Sequence, residues 1–267
     1  MDKRIYDQFK KIVYEKAGIE LGGKKSSLVS ARVSKRIREL GMKDYKDYLS
    51  FLRKDSSGDE LTKFIDVIST NVTSFFREAV HFEYLKERMA FWLKQGCRRF
   101  RFWSAACSSG EEPYTMAMVL LECTAGYNVD LKILATDIST RILKKALDGV
   151  YPHEKVKAIP PQLLGRYFEH VDVNGKKYFR AGNELRSSIV FRRINLSDPP
   201  FPMRGPMDGV FCRNVMIYFD NTVRRRLLSE IERLLKPQGV LFVGHAESLA
   251  GSLCTLNTVK PSIYLKK

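Results

Sequence analysis

The sequence predicts an α/β protein: a doubly wound parallel sheet, preceded by an all-helical domain and interrupted by a small β-hairpin subdomain. Three observations carry that prediction. Helical periodicity fills residues 1–95. From residue 100 onward, short apolar runs alternate with amphipathic segments, the pattern of βαβ units. Between residues 150 and 186 the alternation stops; Pro152, Pro160 and Pro161 cluster there, and Asn174-Gly175 is a strong two-residue hairpin signal.

The helical elements come first. Ile5, Phe9, Ile12 and Ala17 form an apolar stripe that Gly18 and then Gly22-Gly23 end. A second helix over 26–40 places Val29, Val33 and Ile37 on one face and Arg32, Lys35, Arg36 and Glu39 on another, with Gly41 as its stop. Tyr45, Tyr48, Leu49 and Leu52 mark a third helix, and Leu61, Phe64, Ile65 and Ile68 a fourth. Thr73 or Ser74 is positioned to cap a further helix running to Gly96, with Arg77 in its first turn against the helix dipole. The paired Phe75 and Phe76 would pack that segment on the core.

Strands are expected at 100–104, 131–135, 189–194, 209–212, 240–244 and 262–265, with helices at 111–123, 139–147 and 222–235 between them. The hairpin arms are 170–173 and 176–180. The domain division read from this pattern is 1–72 helical, 73–95 a linker helix, and 96–267 the sheet domain with an insert at about 152–187.

Composition narrows the function classes. With 267 residues, 44% of them hydrophobic, the chain can bury a full core. No apolar run approaches the ~20 residues of a membrane span, and the opening residues carry no signal-peptide pattern. A cytoplasmic monomer without membrane insertion is expected. Five cysteines (Cys97, Cys107, Cys123, Cys212, Cys254) and four histidines (His81, His153, His170, His245) are dispersed, so neither a disulfide framework nor a metal site is signalled. The net charge of +16 implies a polyanionic partner. Residues 1–55 hold fifteen Lys/Arg against eight Asp/Glu, or +7 of that total.

The stretch from Phe102 to Tyr114 identifies the kind of ligand. An apolar strand runs into a small-residue turn, and Glu111-Glu112 open the next helix. A dinucleotide site would need several glycines to admit a pyrophosphate, but Gly110 is the only glycine in this turn. The acidic pair would repel phosphate at that helix N-terminus. A phosphate-free, positively charged cofactor fits better, namely S-adenosylmethionine (SAM). The fold class is then that of a class I SAM-dependent methyltransferase with a Rossmann-like sheet. Asp137, Asn195 and Arg213-Asn214 end successive strands and face the same crevice. Taken singly, each is equally a helix cap or turn residue.

Asp198-Pro199-Pro200-Phe201 is similar to a motif of amino-methyltransferases acting on nucleic acid. There the motif ends the fourth strand; here it follows the third, and reads as a turn. Five stretches together resemble the CheR family of chemotaxis receptor glutamate O-methyltransferases. They are Asn71-Val72-Thr73-Ser74-Phe75-Phe76-Arg77-Glu78, Ser104-Ala105-Ala106-Cys107-Ser108-Ser109-Gly110-Glu111-Glu112-Pro113-Tyr114, Ala135-Thr136-Asp137, Phe211-Cys212-Arg213-Asn214-Val215-Met216-Ile217-Tyr218-Phe219 and Gly244-His245-Ala246-Glu247-Ser248.

That resemblance implies methyl transfer from SAM to glutamate side chains on the cytoplasmic helical bundle of methyl-accepting receptors. The products would be a glutamate 5-O-methyl ester and S-adenosylhomocysteine. It implies cofactor contacts at Asn71, Thr73, Arg77, Glu111, Asp137, Asn195, Leu196, Arg213 and Asn214, with Glu111 toward the methionyl portion and Asp137 toward the ribose. Arg77 and Tyr218 are expected to orient the substrate carboxylate. Arg32, Lys35, Arg36 and Arg38 become a receptor-docking face, and no nucleic acid is expected as partner. The hairpin could take up a receptor's C-terminal tethering peptide or be blunted against pairing. His245 and Glu247 match a family pattern and are assigned to packing. The alternatives are a methyltransferase for nucleic acid or another acidic protein, and a receptor-binding module without turnover.

Overall fold

A computed structural model describes residues 1–22, 26–249 and 255–267. Gly23, part of the expected first helix stop, and Cys254 lie outside the described residues. The N-terminal helices are α1 (Lys3–Ala17), α2 (Ser26–Glu39), α3 (Tyr45–Lys54) and α4 (Asp59–Ile68). Asp2 caps α1 by accepting from Ile5 N at 2.8 Å, and Gly18 ends it at φ +65°. The expected stripes meet in one core in which Phe9, Val33, Tyr48 and Phe64 are fully buried.

Helix α5 (Val80–Lys94) starts later than the sequence pattern predicts. Phe76 (φ +53°) and Glu78 (φ +57°) take left-handed backbone conformations that a helix excludes. The Asn71–Glu78 stretch is therefore irregular chain and turn, and Arg77 lies before the first residue of α5 rather than in its first turn. Phe75 is buried edge-on against Tyr151 and Phe168 (centroids 5.0 and 5.7 Å), while Phe76 packs on Phe82.

The remaining elements are β1 (Arg99–Ser104), α6 (Glu111–Thr124), β2 (Asp130–Asp137), α7 (Thr140–Asp148), β3 (Val150–Pro152), α8 (His153–Val156), α9 (Pro161–Tyr167), β4 (Phe168–Val173), β5 (Lys176–Ala181), α10 (Asn183–Ser188), β6 (Ile189–Arg193), β7 (Met207–Cys212), α11 (Asn221–Leu234), β8 (Leu235–Val243), β9 (Asn257–Lys260) and β10 (Ile263–Leu265). The main sheet runs β6-β2-β1-β7-β8-β10-β9. Its first five strands are parallel, β10 pairs antiparallel with β8, and β9 pairs antiparallel with β10. Strand β9 has no counterpart in the sequence reading; its four residues are all exposed, so no apolar alternation marks it.

Apolar layers cover both faces of this sheet, one around Phe102, Tyr114 and Phe211, the other around Trp103, Val210 and Leu227. The insert is a separate sheet of order β3-β5-β4. Its hairpin turns at Asn174 (φ +54°) and Gly175 (φ +74°), the left-handed pair that an Asn-Gly turn supplies.

Candidate functional site

Strand order reverses between β1 and β7, so the loops leaving their carboxyl ends diverge and open a cleft. One wall is the small-residue turn after β1. Cys107 N donates to Thr136 O at 2.9 Å, and Ser108 takes φ +48° so that its N–H meets Asp137 Oδ2 at 2.9 Å. The other oxygen of Asp137 accepts from Ser139 N at 3.0 Å. Burial pushes the Asp137 carboxyl above its usual range, and these backbone donors oppose the rise without cancelling it.

The opposite wall is a charged knot centred on Arg213, which is 5% exposed. Its guanidinium reaches Glu78 Oε2 at 3.2 Å and Glu112 Oε2 at 3.3 Å, donates to the Arg77 carbonyl, and lies over the rings of Phe82 and Phe211. Ser104 Oγ donates to Glu112 Oε1 at 2.7 Å. The two carboxyls move in opposite directions. Burial raises Glu112 despite Arg213 and Ser104. Burial also acts on Glu78, but Arg213 and the His245 N–H outweigh it and hold that carboxyl low.

Asn71, Thr73, Arg77, Asp137, Asn195, Leu196, Arg213, Asn214 and Tyr218 all line the cleft. Glu111 does not line it; its neighbour Glu112 does. The Glu111 carboxylate is 1% exposed, accepts from Ser109 Oγ at 2.6 Å and faces Lys155 Nζ at 3.2 Å. Lys155, in α8 of the insert, also donates to Thr73 O at 3.1 Å. Glu111 thus acts on the Asn71–Arg77 turn through the insert. The side chain of Asn195 is partly committed: its Nδ2 donates to Lys16 O, and its Oδ1 accepts from Ser197.

Ile19, Leu21, Leu28 and Val29 also line the cleft, which makes the N-terminal domain its third side. The sequence reading missed them. The available signal was Gly18, whose missing Cβ lets α1 end against Ser197: a Cβ there would lie 2.4 Å from Ser197 Cβ.

The expected docking face divides in two. Arg36 is turned inward, with Nη2 2.6 Å from Glu60 Oε2 while Tyr48 Oη donates to the same carboxylate. Arg32 donates to the terminal carbonyls of α4 at Ile68 and Ser69. These two stabilise the helical domain, while Lys35 and Arg38 are exposed. Helix geometry is the reason: α2 packs on α4, and the turn that carries Arg32 and Arg36 faces it.

Two of the four dispersed histidines meet in space. Glu78, His81 and His245 bring possible ligand atoms within 4.8 Å of one another. The Glu78 carboxylate is already shared by Arg213, Asn214 and the His245 N–H, so a divalent cation there would sit against a guanidinium. The Asp198–Phe201 segment lies off the cleft lining, with Phe201 buried against Trp103, as the turn reading expects.

The cleft suits SAM by the chemistry of its donor set. The carboxylates of Glu112 and Asp137 line it, apolar Ile138, Leu196 and Val215 offer a surface for an adenine ring, and no glycine stands among the described residues that line it.

Comparison with known proteins agrees. Residues 4–69 match the all-alpha domain of CheR methyltransferases, and residues 71–264 match their SAM binding domain. The chemotaxis protein methyltransferase of Escherichia coli strain K12 is 38% identical over 245 residues, 92% of this chain and 84% of that protein. That of Borreliella burgdorferi is 38% identical over 263 residues, covering 96% and 92%. That of Salmonella typhimurium is 39% identical over 253 residues, covering 95% and 86%. With both halves matched in order, this chain belongs to the CheR family of SAM-dependent methyltransferases of chemotaxis.

Proposed function

We propose that the chain methylates glutamate side chains on the cytoplasmic helical bundle of chemoreceptors, yielding glutamate 5-O-methyl esters. The observation that carries the reading is the cleft, where Arg77 and Tyr218 stand beside the acidic and apolar cofactor walls. Bound SAM supplies an electrophilic methyl group. The residues proposed to hold it are Asn71, Thr73, Asp137, Asn195, Leu196, Arg213 and Asn214, with Glu112 rather than Glu111 facing its amino-acid tail. Asp137 retains lone pairs for ribose hydroxyls beyond its two backbone donors.

An ionised glutamate is already a nucleophile at neutral pH, so the chain's task is alignment rather than proton removal. Arg77 and the Tyr218 hydroxyl would receive and orient the two carboxylate oxygens. Residues 1–72 would dock the acidic bundle through Lys35 and Arg38, 73–95 would connect, and 96–267 would carry the chemistry in a cytoplasmic monomer. Where a receptor carries a tethering peptide, the outer strand β4 of the insert is the edge it would extend.

Labelled SAM is incubated with a receptor cytoplasmic fragment, and the product is treated with mild base. Label released as methanol is expected; base-stable label defeats the reading.

A further inference from the structure

The segment after β7 carries five cleft residues (Arg213, Asn214, Val215, Tyr218 and Phe219), yet little of it is held by regular structure. Asn214 is left-handed at φ +57°, and a single 3-10 turn, Met216–Tyr218, follows. The N–H groups of Asn214 and Ile217 reach no strand or helix. Both go to one side chain. Glu247 is 6% exposed and lies three residues beyond the glycine that follows β8. Its Oε2 accepts from Asn214 N at 2.6 Å and from Gly244 N at 2.7 Å, and its Oε1 accepts from Ile217 N at 3.2 Å. Three backbone donors converge on one buried carboxylate, an arrangement that fixes the donors' orientation.

The approach is close enough to require glycine at 244: a Cβ there would lie 2.4 Å from Asn214 Nδ2 and 2.8 Å from Glu247 Oε2. Packing alone does not place an acid at this position. An apolar residue would fill the volume but leave the Asn214, Gly244 and Ile217 N–H groups without Glu247 as acceptor in a poorly hydrated site.

We propose that Glu247 is a positioning residue for methyl transfer. Through three backbone N–H groups it sets the path of the chain from Arg213 to Tyr218, and so the cofactor wall at one end and the carboxylate-orienting tyrosine at the other. Its two oxygens divide the work. Oε2 registers Asn214 against the end of β8, and Oε1 registers the turn that presents Tyr218. The division rests on the proposed role of Tyr218; the wall-setting role at Asn214 does not.

The test compares Glu247→Gln and Glu247→Ala in the full chain. It measures S-adenosylhomocysteine affinity by calorimetry, steady-state methylation of a receptor fragment, and thermal unfolding. In the glutamine variant one carbonyl oxygen can keep the Asn214 and Gly244 donors while an amide meets the Ile217 N–H. The expectation is a fall in kcat of about tenfold or more, since small misplacements of reacting groups are costly in rate, with product affinity nearly unchanged. The alanine variant loses both registers, and its affinity falls as well. Tyr218→Phe run in parallel separates the two readings. A fully active Tyr218→Phe removes the tyrosine role and leaves the Asn214 register to be judged by the affinity of Glu247→Ala. Wild-type kcat and affinity in a folded Glu247→Gln, together with wild-type affinity in Glu247→Ala, overturn the proposal. A loss of activity that only tracks the unfolded fraction overturns it equally. Should Glu247→Ala fail to fold, Gly244→Ala, which keeps the charge and displaces the contact, takes its place with the same expected loss of affinity.

Discussion

His81 is fully buried, with neither ring nitrogen hydrogen-bonded among the described residues. Burial lowers its pKa to about 4, with Arg213 and His245 adding to the effect and Glu78 opposing it. The folded chain therefore keeps His81 neutral, while the unfolded chain takes up a proton below about pH 6.5. Stability from this residue is complete above pH 6.5 and drains away as pH falls toward about 4. The loss is about 2–3 kcal/mol by proton linkage. Urea unfolding at pH 7 and pH 4.5 should show this slope in the wild type and a shallower one in His81→Phe. At Arg213 the geometry matters as much as the charge, because one planar fork serves Glu78 and Glu112 at once. Arg213→Lys keeps the charge but cannot span both acids. Product affinity measured by calorimetry should fall by about tenfold or more, an effect of roughly 1.4 kcal/mol.

At the scale of elements, α2 separates two kinds of arginine. Arg36→Ala would strand the Glu60 carboxylate, which is 4% exposed, and should cost about 3 kcal/mol in chemical denaturation. The double variant Lys35→Glu/Arg38→Glu touches only exposed positions. It should raise the KM for receptor fragment severalfold, more so at low ionic strength, while S-adenosylhomocysteine affinity stays unchanged. Unchanged receptor KM would remove α2 as a docking helix. Sequence periodicity put Arg36 on the face of α2 away from Val29, Val33 and Ile37. It could not show that α4 packs close enough to take Arg36 inward, because Glu60 is twenty-four residues away in the chain. The insert teaches the same lesson. Its hairpin was legible from Asn174-Gly175, but its grip on the cofactor turn through Lys155 and Phe75 was not.

Over the whole molecule, the helical and sheet domains close on each other at the cleft. Glu20 N donates to Tyr218 O at 2.7 Å, Ile19 pairs with Phe219, and Tyr14 Oη donates to Asp220 Oδ2 at 2.5 Å. On the far side, Asp66 of α4 accepts from Thr140 and from Arg141 N at the start of α7, where a carboxylate is favoured by the helix dipole. Gly18 makes the first of these junctions possible. Gly18→Ala, at φ +65° and against Ser197, should cost about 1–3 kcal/mol. It should weaken S-adenosylhomocysteine binding as well, and parallel unfolding and calorimetry on the variant would check both.

Local chemistry determined the fold class, the lack of a glycine-rich phosphate loop after β1, and the polar strand ends Asp137, Asn195, Arg213 and Asn214 that line the cleft. Those features depend on period, turn residues and the sign of neighbouring charges, all of which act over a few positions. Tertiary structure decided which acid of Glu111-Glu112 faces the cleft, which arginines of α2 stay outside, and that Glu247 braces the loop to Tyr218. Each of these choices is made by a partner from a distant part of the chain, and burial sets its strength.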